Sequence, residues 1–279
     1  MSEVSAALRD ELAAAMRRWR LVQDGPVLDT LHGCVAFVTQ ASQPRALKIT
    51  RPDSDETNSV AALTHYDGRG AVRVLDHAGR AVLMERIEPG HGLAARVIEG
   101  DDDGATAILC DVMTKLHRDD PPAGHFPAVE EWGESFDDYR QTNGTLPSAL
   151  VDRAAALYRE LCRTQGARVL LHGDLHHDNV LYDARRSWLA IDPKGVIGER
   201  AYETGALLRN PGTNAALFAT PVIIDRRVRI LCERLTLDRA RVLGWCFAQA
   251  VLSAVWDSED GTPDERGRVT AEATLPLLL

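Results

Sequence analysis

A chain of 279 residues, 45% hydrophobic and 26% charged, is long enough for one large domain or two lobes sharing a cleft, with an ordinary soluble composition. Its net charge of −9 disfavours nucleic acid as a partner, because phosphate backbones want basic stripes, and better suits a cationic small molecule. Five scattered cysteines without a C-x-x-C pair argue against a disulfide framework or zinc site and for a reduced cytoplasm.

No apolar run reaches the roughly 18 residues of a membrane span. The first twenty residues alternate apolar and charged positions and do not read as a signal peptide, and Leu275-Pro276-Leu277-Leu278-Leu279 is too short to anchor the chain. Nothing in the sequence calls for an obligatory protein partner.

In chain order, Ala6 to Trp19 has the pattern of an amphipathic helix. After Gly25-Pro26, strands are expected at Val27–Leu31, Val35–Thr39 and Ala46–Thr50, with turns at Gly33 and Gln43-Pro44. Asp53 to Tyr66 reads as a helix with acids near its start, followed by a strand pair at Ala71–Leu75 and Ala81–Met84. The boundary falls at Ile87-Glu88-Pro89-Gly90. Residues 1–86 then make a β-rich N-lobe and residues 87–279 a mainly helical C-lobe, an α+β bilobal arrangement with a cleft for small ligands. In the C-lobe, helical periodicity marks Thr106–Leu116 and segments 151–165, 225–235 and 239–256. Three short strands interrupt it: Val169–Leu171, Val180–Tyr182 and Trp188–Ile191.

Those strands frame the most informative segment, His172-Gly173-Asp174-Leu175-His176-His177-Asp178-Asn179, with Asp192 beyond. If the last two strands form a hairpin across Asp183-Ala184-Arg185-Arg186, Asn179 and Asp192 meet at its open end, where cross-strand Cβ atoms are roughly 5 Å apart. An amide oxygen and a carboxylate there suit Mg²⁺. Asp174, on the loop entering the hairpin, can face the same point as a base for an acceptor hydroxyl. His176 and His177 lack the spacing of a helical zinc motif, and His172 reads as a packed, hydrogen-bonded scaffold residue.

Leu171 to Leu181 is similar to the H-G-D-x-x-x-x-N segment of the aminoglycoside phosphotransferases and their kinase-like relatives. Ala190-Ile191-Asp192-Pro193-Lys194-Gly195 resembles the I-D-P-K-G element of the branch that phosphorylates streptomycin at position 6 or hydroxyurea. Gly198 to Pro211 resembles that branch as well, and the likeness runs from about Leu47 to Trp256. It implies a protein-kinase-like fold and ATP with Mg²⁺ as cofactors. Asp174 is then the catalytic base, and Asn179 and Asp192 are the metal ligands. Lys48 matches the strand lysine that contacts the α/β-phosphates. Glu85 and Ile87 match the hinge, whose backbone pairs with adenine.

Three departures accompany the match. The helix position that should pair with Lys48 falls near Ser59, with Glu56 one turn earlier as a substitute. The nucleotide loop holds only Gly33. The usual Asp after Tyr202 is Glu203, expected to brace the catalytic loop. Lys194 is placed to stabilise transition-state charge.

For the acceptor, two acidic runs attract attention because no basic residue interrupts the carboxylates: Glu130, Glu131, Glu134, Asp137 and Asp138, and then Asp257, Glu259, Asp260, Asp264 and Glu265. The 239–256 helix carries two apolar stripes. One of them, Trp245, Gln249, Leu252 and Trp256, ends beside Asp257, where Trp256 and Asp257 would make a cation site. Streptomycin is the leading acceptor, with hydroxyurea or another metabolite alcohol behind it. A nucleotide-binding pseudokinase is opposed by the intact Lys48, Asp174, Asn179 and Asp192. A metallo-hydrolase lacks the upstream D-x-H and later G-N-H motifs it would need.

Overall fold

The computed structural model describes residues 5–30, 32–52, 54, 57–120, 122, 124–142, 146–212, 214, 217–259 and 265–278. Helix α1 (Ala6–Trp19) starts where the Ser5 hydroxyl accepts the Leu8 N–H and stops at Arg20 in the left-handed conformation. Its buried Leu8, Leu12, Ala15 and Trp19 recur at helical spacing. They pack on an antiparallel sheet of β1 (Val22–Thr30), β2 (Gly33–Gln40), β3 (Gln43–Thr50), β4 (Val74–Ala78) and β5 (Ala81–Glu85), in the order β1-β2-β3-β5-β4. Cys34, Ala36, Val38, Leu47, Ile49 and Leu83 complete this smaller core.

Several bounds differ from the sequence expectations for identifiable reasons. Gly25-Pro26 lies inside β1, because a register shift between Gln23 and Val27 accommodates the proline. The strand expected from Ala71 begins at Val74. Ala71 instead bridges Ala190 in parallel, and the Val72 N–H donates to the Ala190 carbonyl at 2.9 Å. Helix α2 (Ser59–Tyr66) is shorter than the 53–66 pattern.

The chain continues through β6 (Pro89–Gly92), α3 (Ala94–Ile98), α4 (Asp102–Leu116), α5 (Val129–Trp132), α6 (Ser135–Arg140), α7 (Ser148–Arg163) and β7 (Arg168–Leu171). Then come β8 (Val180–Asp183), β9 (Ser187–Ala190), β10 (Val196–Glu199), α8 (Thr204–Leu208), α9 (Pro221–Leu235), α10 (Arg239–Glu259) and α11 (Glu265–Thr274). The expected hairpin is present: β8 pairs β9 with Val180 opposite Ala190. The adjacent β6 adds a third strand, while β7 pairs β10.

The larger core gathers around α10, where Trp245, Phe247, Tyr158 and Tyr202 are fully buried or nearly so. It also takes in Ala62, Leu63 and Tyr66 of α2 and Val82 and Met84 of β5. The N-terminal sheet thus buries residues in two cores, one shared with α1 and one with the helical lobe. The architecture is α+β and bilobal. No helix among the described residues is long and apolar enough to cross a membrane.

Candidate active site

The loop between β7 and β8 is held at its backbone before any side chain faces the cleft. The Glu203 carboxylate, 1% exposed, accepts the N–H of His172 at 2.6 Å and of Gly173 at 2.9 Å. Burial pushes the Glu203 carboxyl up, but the His117 ring at 3.3 Å, His172 and the Gly173 amide hold it below its ordinary value, so it remains a carboxylate. Glu203, expected to brace the catalytic loop, is thus bonded to that loop's backbone at two successive residues. Gly173 has φ +84°, and a Cβ there would lie 2.8 Å from the Trp132 ring, so both conformation and space require glycine.

His172 joins this loop to the one carrying Asp192. Its Nε2 lies 2.8 Å from the Ile191 carbonyl, and its Nδ1 is 3.3 Å from the Asp174 N–H. The arrangement fits the neutral ring with the proton on Nε2, and burial lowers the His172 pKa. The His172 carbonyl in turn accepts the N–H groups of Lys194 at 2.8 Å and Gly195 at 3.1 Å.

The hairpin brings Asn179 and Asp192 to one end, as its register dictates. The Ile191 N–H donates to the Asn179 carbonyl at 3.0 Å, and Asp192 follows in a left-handed conformation, φ +54°. The Asn179 Nδ2 donates to the Asp174 carbonyl at 2.9 Å, which leaves its Oδ1 as the outward oxygen. Lys48 reaches across from β3, and its ammonium lies 2.7 Å from Asp192 Oδ1. One carboxylate oxygen of Asp192 and the amide oxygen of Asn179 make a hard-oxygen pair that fits Mg²⁺. That ion commonly takes one or two protein oxygens and completes its shell from phosphates and water. Among the described residues no group of three or more His, Cys, Asp or Glu is placed to cage a metal.

Asp174 sits among basic side chains. Arg209 lies 3.7 Å from its Oδ1 and His176 lies 3.8 Å from its Oδ2. Burial raises its carboxyl, but His176, Lys194 and Arg209 together outweigh burial and hold it down at about 2.

The other expected residues are placed as follows. Gly33 opens β2, where a Cβ would lie 2.0 Å from the Ile49 carbonyl, so contact with β3 already requires glycine there. The Glu85 N–H donates to the Arg73 carbonyl at 3.1 Å. Its carboxylate accepts the Arg73 N–H at 2.9 Å and pairs with Arg186. Ile87 packs half-buried against the larger core. Glu56 lies outside the described residues, and α2 itself carries no carboxylate.

The residues expected on the acceptor side have the following surroundings. The Lys194 ammonium lies over one face of the Trp256 ring, 5.9 Å from its centroid. The Trp256 indole N–H donates to Ser135 at 2.9 Å, and its ring meets Trp132 edge-on at 5.9 Å. Asp257 follows half-buried on the same helix. Residues 260–264 of the second acidic run are outside the described residues. The first run has basic partners after all: Glu130 pairs with Arg168 at 2.8 Å and Asp137 with Arg140 at 2.8 Å, while Glu131 caps the Ala128 N–H. Glu134 lines a recess with Glu130, Asp137, Tyr158 and Arg159, and no residue of the 172–179 loop lines that recess. Trp132 and Arg209, which meet the loop, and His117 and Gln249, which meet Glu203 and Arg209, carry no signal in the sequence, because folding alone brings them there.

The aminoglycoside/hydroxyurea antibiotic resistance kinase family model matches residues 18–261. The chain is 38% identical over 253 residues to a streptomycin 3''-kinase of Klebsiella pneumoniae, covering 88% of this chain and 92% of that one. It is 33% identical over 265 residues to a streptomycin 6-kinase of Streptomyces griseus, covering 92% and 85%. Its fold matches a choline/ethanolamine kinase family protein from Mesorhizobium loti with TM-score 0.67 at 16% identity, over 97% of this chain and 93% of that one. With the loop, the hairpin and the strand lysine assembled on this fold, the chain belongs to the aminoglycoside/hydroxyurea antibiotic resistance kinases, phosphotransferases that act on hydroxyl groups of small molecules.

Proposed function

We propose that this chain uses ATP and Mg²⁺ to phosphorylate a hydroxyl of a small cationic molecule, with streptomycin as the leading acceptor. The convergence of Lys48 from β3 with Asp174 and Asn179 of one loop and Asp192 beyond the hairpin carries the reading. Asp174 accepts a hydrogen bond from the acceptor hydroxyl, aims the hydroxyl lone pair at the γ-phosphorus and takes the proton as the new O–P bond forms and the bond to the leaving ADP oxygen breaks. A carboxyl held near 2 is ionised throughout the neutral range, so its main contribution is orientation. Lys48 holds the α/β-phosphates. Asn179 and Asp192 hold Mg²⁺, which when bound neutralises phosphate charge. Glu203 and His172 keep the loop in register, Lys194 faces developing charge, and backbone groups of Glu85 and Ile87 take adenine.

Relatives named for kinases of streptomycin at two different positions support the drug as acceptor and make the phosphorylated position a quantity to measure. ADP release should saturate with streptomycin and stay at background with hydroxyurea and unrelated alcohols, and mass spectrometry should find one added phosphate. Asp174→Ala should lower transfer by about 10²–10⁴-fold with unchanged circular dichroism. Persistent transfer in that variant would sink the base assignment, and saturation by hydroxyurea alone would overturn the acceptor.

A further inference from the structure

Arg209 closes α8 as its C-terminal cap residue, at a position the family motifs leave without a role. Its side chain is 12% exposed and forked between two partners. One guanidinium nitrogen lies 3.7 Å from Asp174 Oδ1, and the other lies 3.4 Å from Gln249 Oε1. Gln249, nearly buried on α10, is fixed in turn, because its Nε2 donates to the Tyr202 carbonyl at 2.5 Å. That bond settles the orientation of its amide and presents its oxygen to Arg209. Gly205 makes room for it: a Cβ there would fall 2.4 Å from the Gln249 amide.

The distance to Asp174 is informative. At 3.7 Å the guanidinium attracts Oδ1 without occupying a lone pair in a full hydrogen bond. The carboxylate is therefore oriented while its acceptor capacity stays available for a substrate hydroxyl. Glu203, six residues before Arg209, holds the loop backbone at His172 and Gly173. One short segment thus fixes both the main chain and the reacting carboxylate of the same loop.

We propose that Arg209, held by Gln249, is a positioning residue that sets the rotamer of Asp174 for transfer. The proposal rests on the phosphotransferase reading of Asp174 given above. It requires the planar fork of arginine, since a lysine ammonium is a single point charge and cannot engage Gln249 and Asp174 in the same way.

The test combines kinetics with MgATP and streptomycin and crystal structures of wild type and variant. Arg209→Ala should lower kcat by about a hundredfold, the size of effect a misplaced reacting group produces, with the KM for ATP within about twofold of wild type. Guanidinium chloride at a sub-denaturing concentration should restore part of that kcat, and Arg209→Lys should stay impaired despite its charge. Gln249→Met should show a smaller loss of the same kind. In the variant crystal the Asp174 carboxylate should be rotated from its wild-type position.

A kcat within about twofold of wild type would overturn the proposal. So would a loss matched by a rising KM for ATP without guanidinium rescue. If wild type fails to phosphorylate streptomycin, the acceptor assignment falls and the crystals decide positioning. A rotated carboxylate would support it and an unmoved one would overturn it.

Discussion

Both ring nitrogens of His172 face fixed partners, Nε2 the Ile191 carbonyl and Nδ1 the Asp174 N–H, so its protonation state is a property of the fold. A second proton would go on Nδ1, directly opposite the Asp174 N–H. Burial lowers the folded-state pKa below the ordinary 6.5, and the unfolded chain therefore binds more protons as pH falls. The stability from this group is fully present above pH 6.5 and is lost progressively as pH drops toward the folded value. Urea midpoints should fall between about pH 7 and pH 5 in wild type. His172→Gln, which can donate and accept at the same two points, should flatten that slope, and an unchanged slope would remove His172 as its source. At this scale the sequence was legible where function is local. Asp174 and Asn179 share one loop, and Asp192 is a hairpin away. Arg209 and Trp132 reach the loop, and His117 reaches Glu203, only through tertiary packing, and no spacing in the chain signals that.

Helix α10 shows the same division among elements. Its periodicity revealed two apolar stripes, and both are buried as such patterns demand. Along one stripe Trp245 is core, donating its indole N–H to Glu199 at 2.5 Å, Gln249 supports Arg209, and Trp256 reaches the site beneath Lys194. The alternating β8 and β9 were equally readable. The short β6, Pro-Gly-His-Gly, was not, because four residues dominated by turn formers carry no strand pattern until β8 offers a partner. The tie between α4 and α9 has no signal in the sequence either, because its partners are 125 residues apart. Arg227 is fully buried, bonded to Asp102 at 2.5 Å, and donates to the carbonyls of Leu207 and Asn210 on either side of Arg209. Asp102→Ala should cost about 3–5 kcal/mol in urea unfolding, because it leaves a buried guanidinium without its carboxylate. Asp102→Leu combined with Arg227→Met should recover much of that loss. It should still leave transfer impaired, since nothing then holds the carbonyls that frame Arg209. Full recovery of kcat in the double variant would show that the tie serves stability alone.

In the whole molecule, two hydrophobic cores meet at a polar cleft whose two sides are linked by Lys48 and Asp192. The smaller core holds α1 against the N-terminal sheet, and the larger holds the loop, the hairpin and α10. A nucleotide clasped between Lys48 above and Asn179 and Asp192 below would contact both. Its binding free energy then adds to the stability of the assembled pair, by about 2.7 kcal/mol when ligand stands at a hundred times its Kd. MgADP should therefore raise the unfolding midpoint, and hydrogen exchange should slow both in β3 and in the 172–179 loop. Chelating the metal should remove most of that gain, as should Asp192→Asn, which keeps the size of the side chain but removes the negative charge that faces the cation. A gain that survives chelation, or protection confined to one core, would mean that nucleotide is held without Asn179 and Asp192. The assignment of those two residues to magnesium would then fall even with the fold and the family intact.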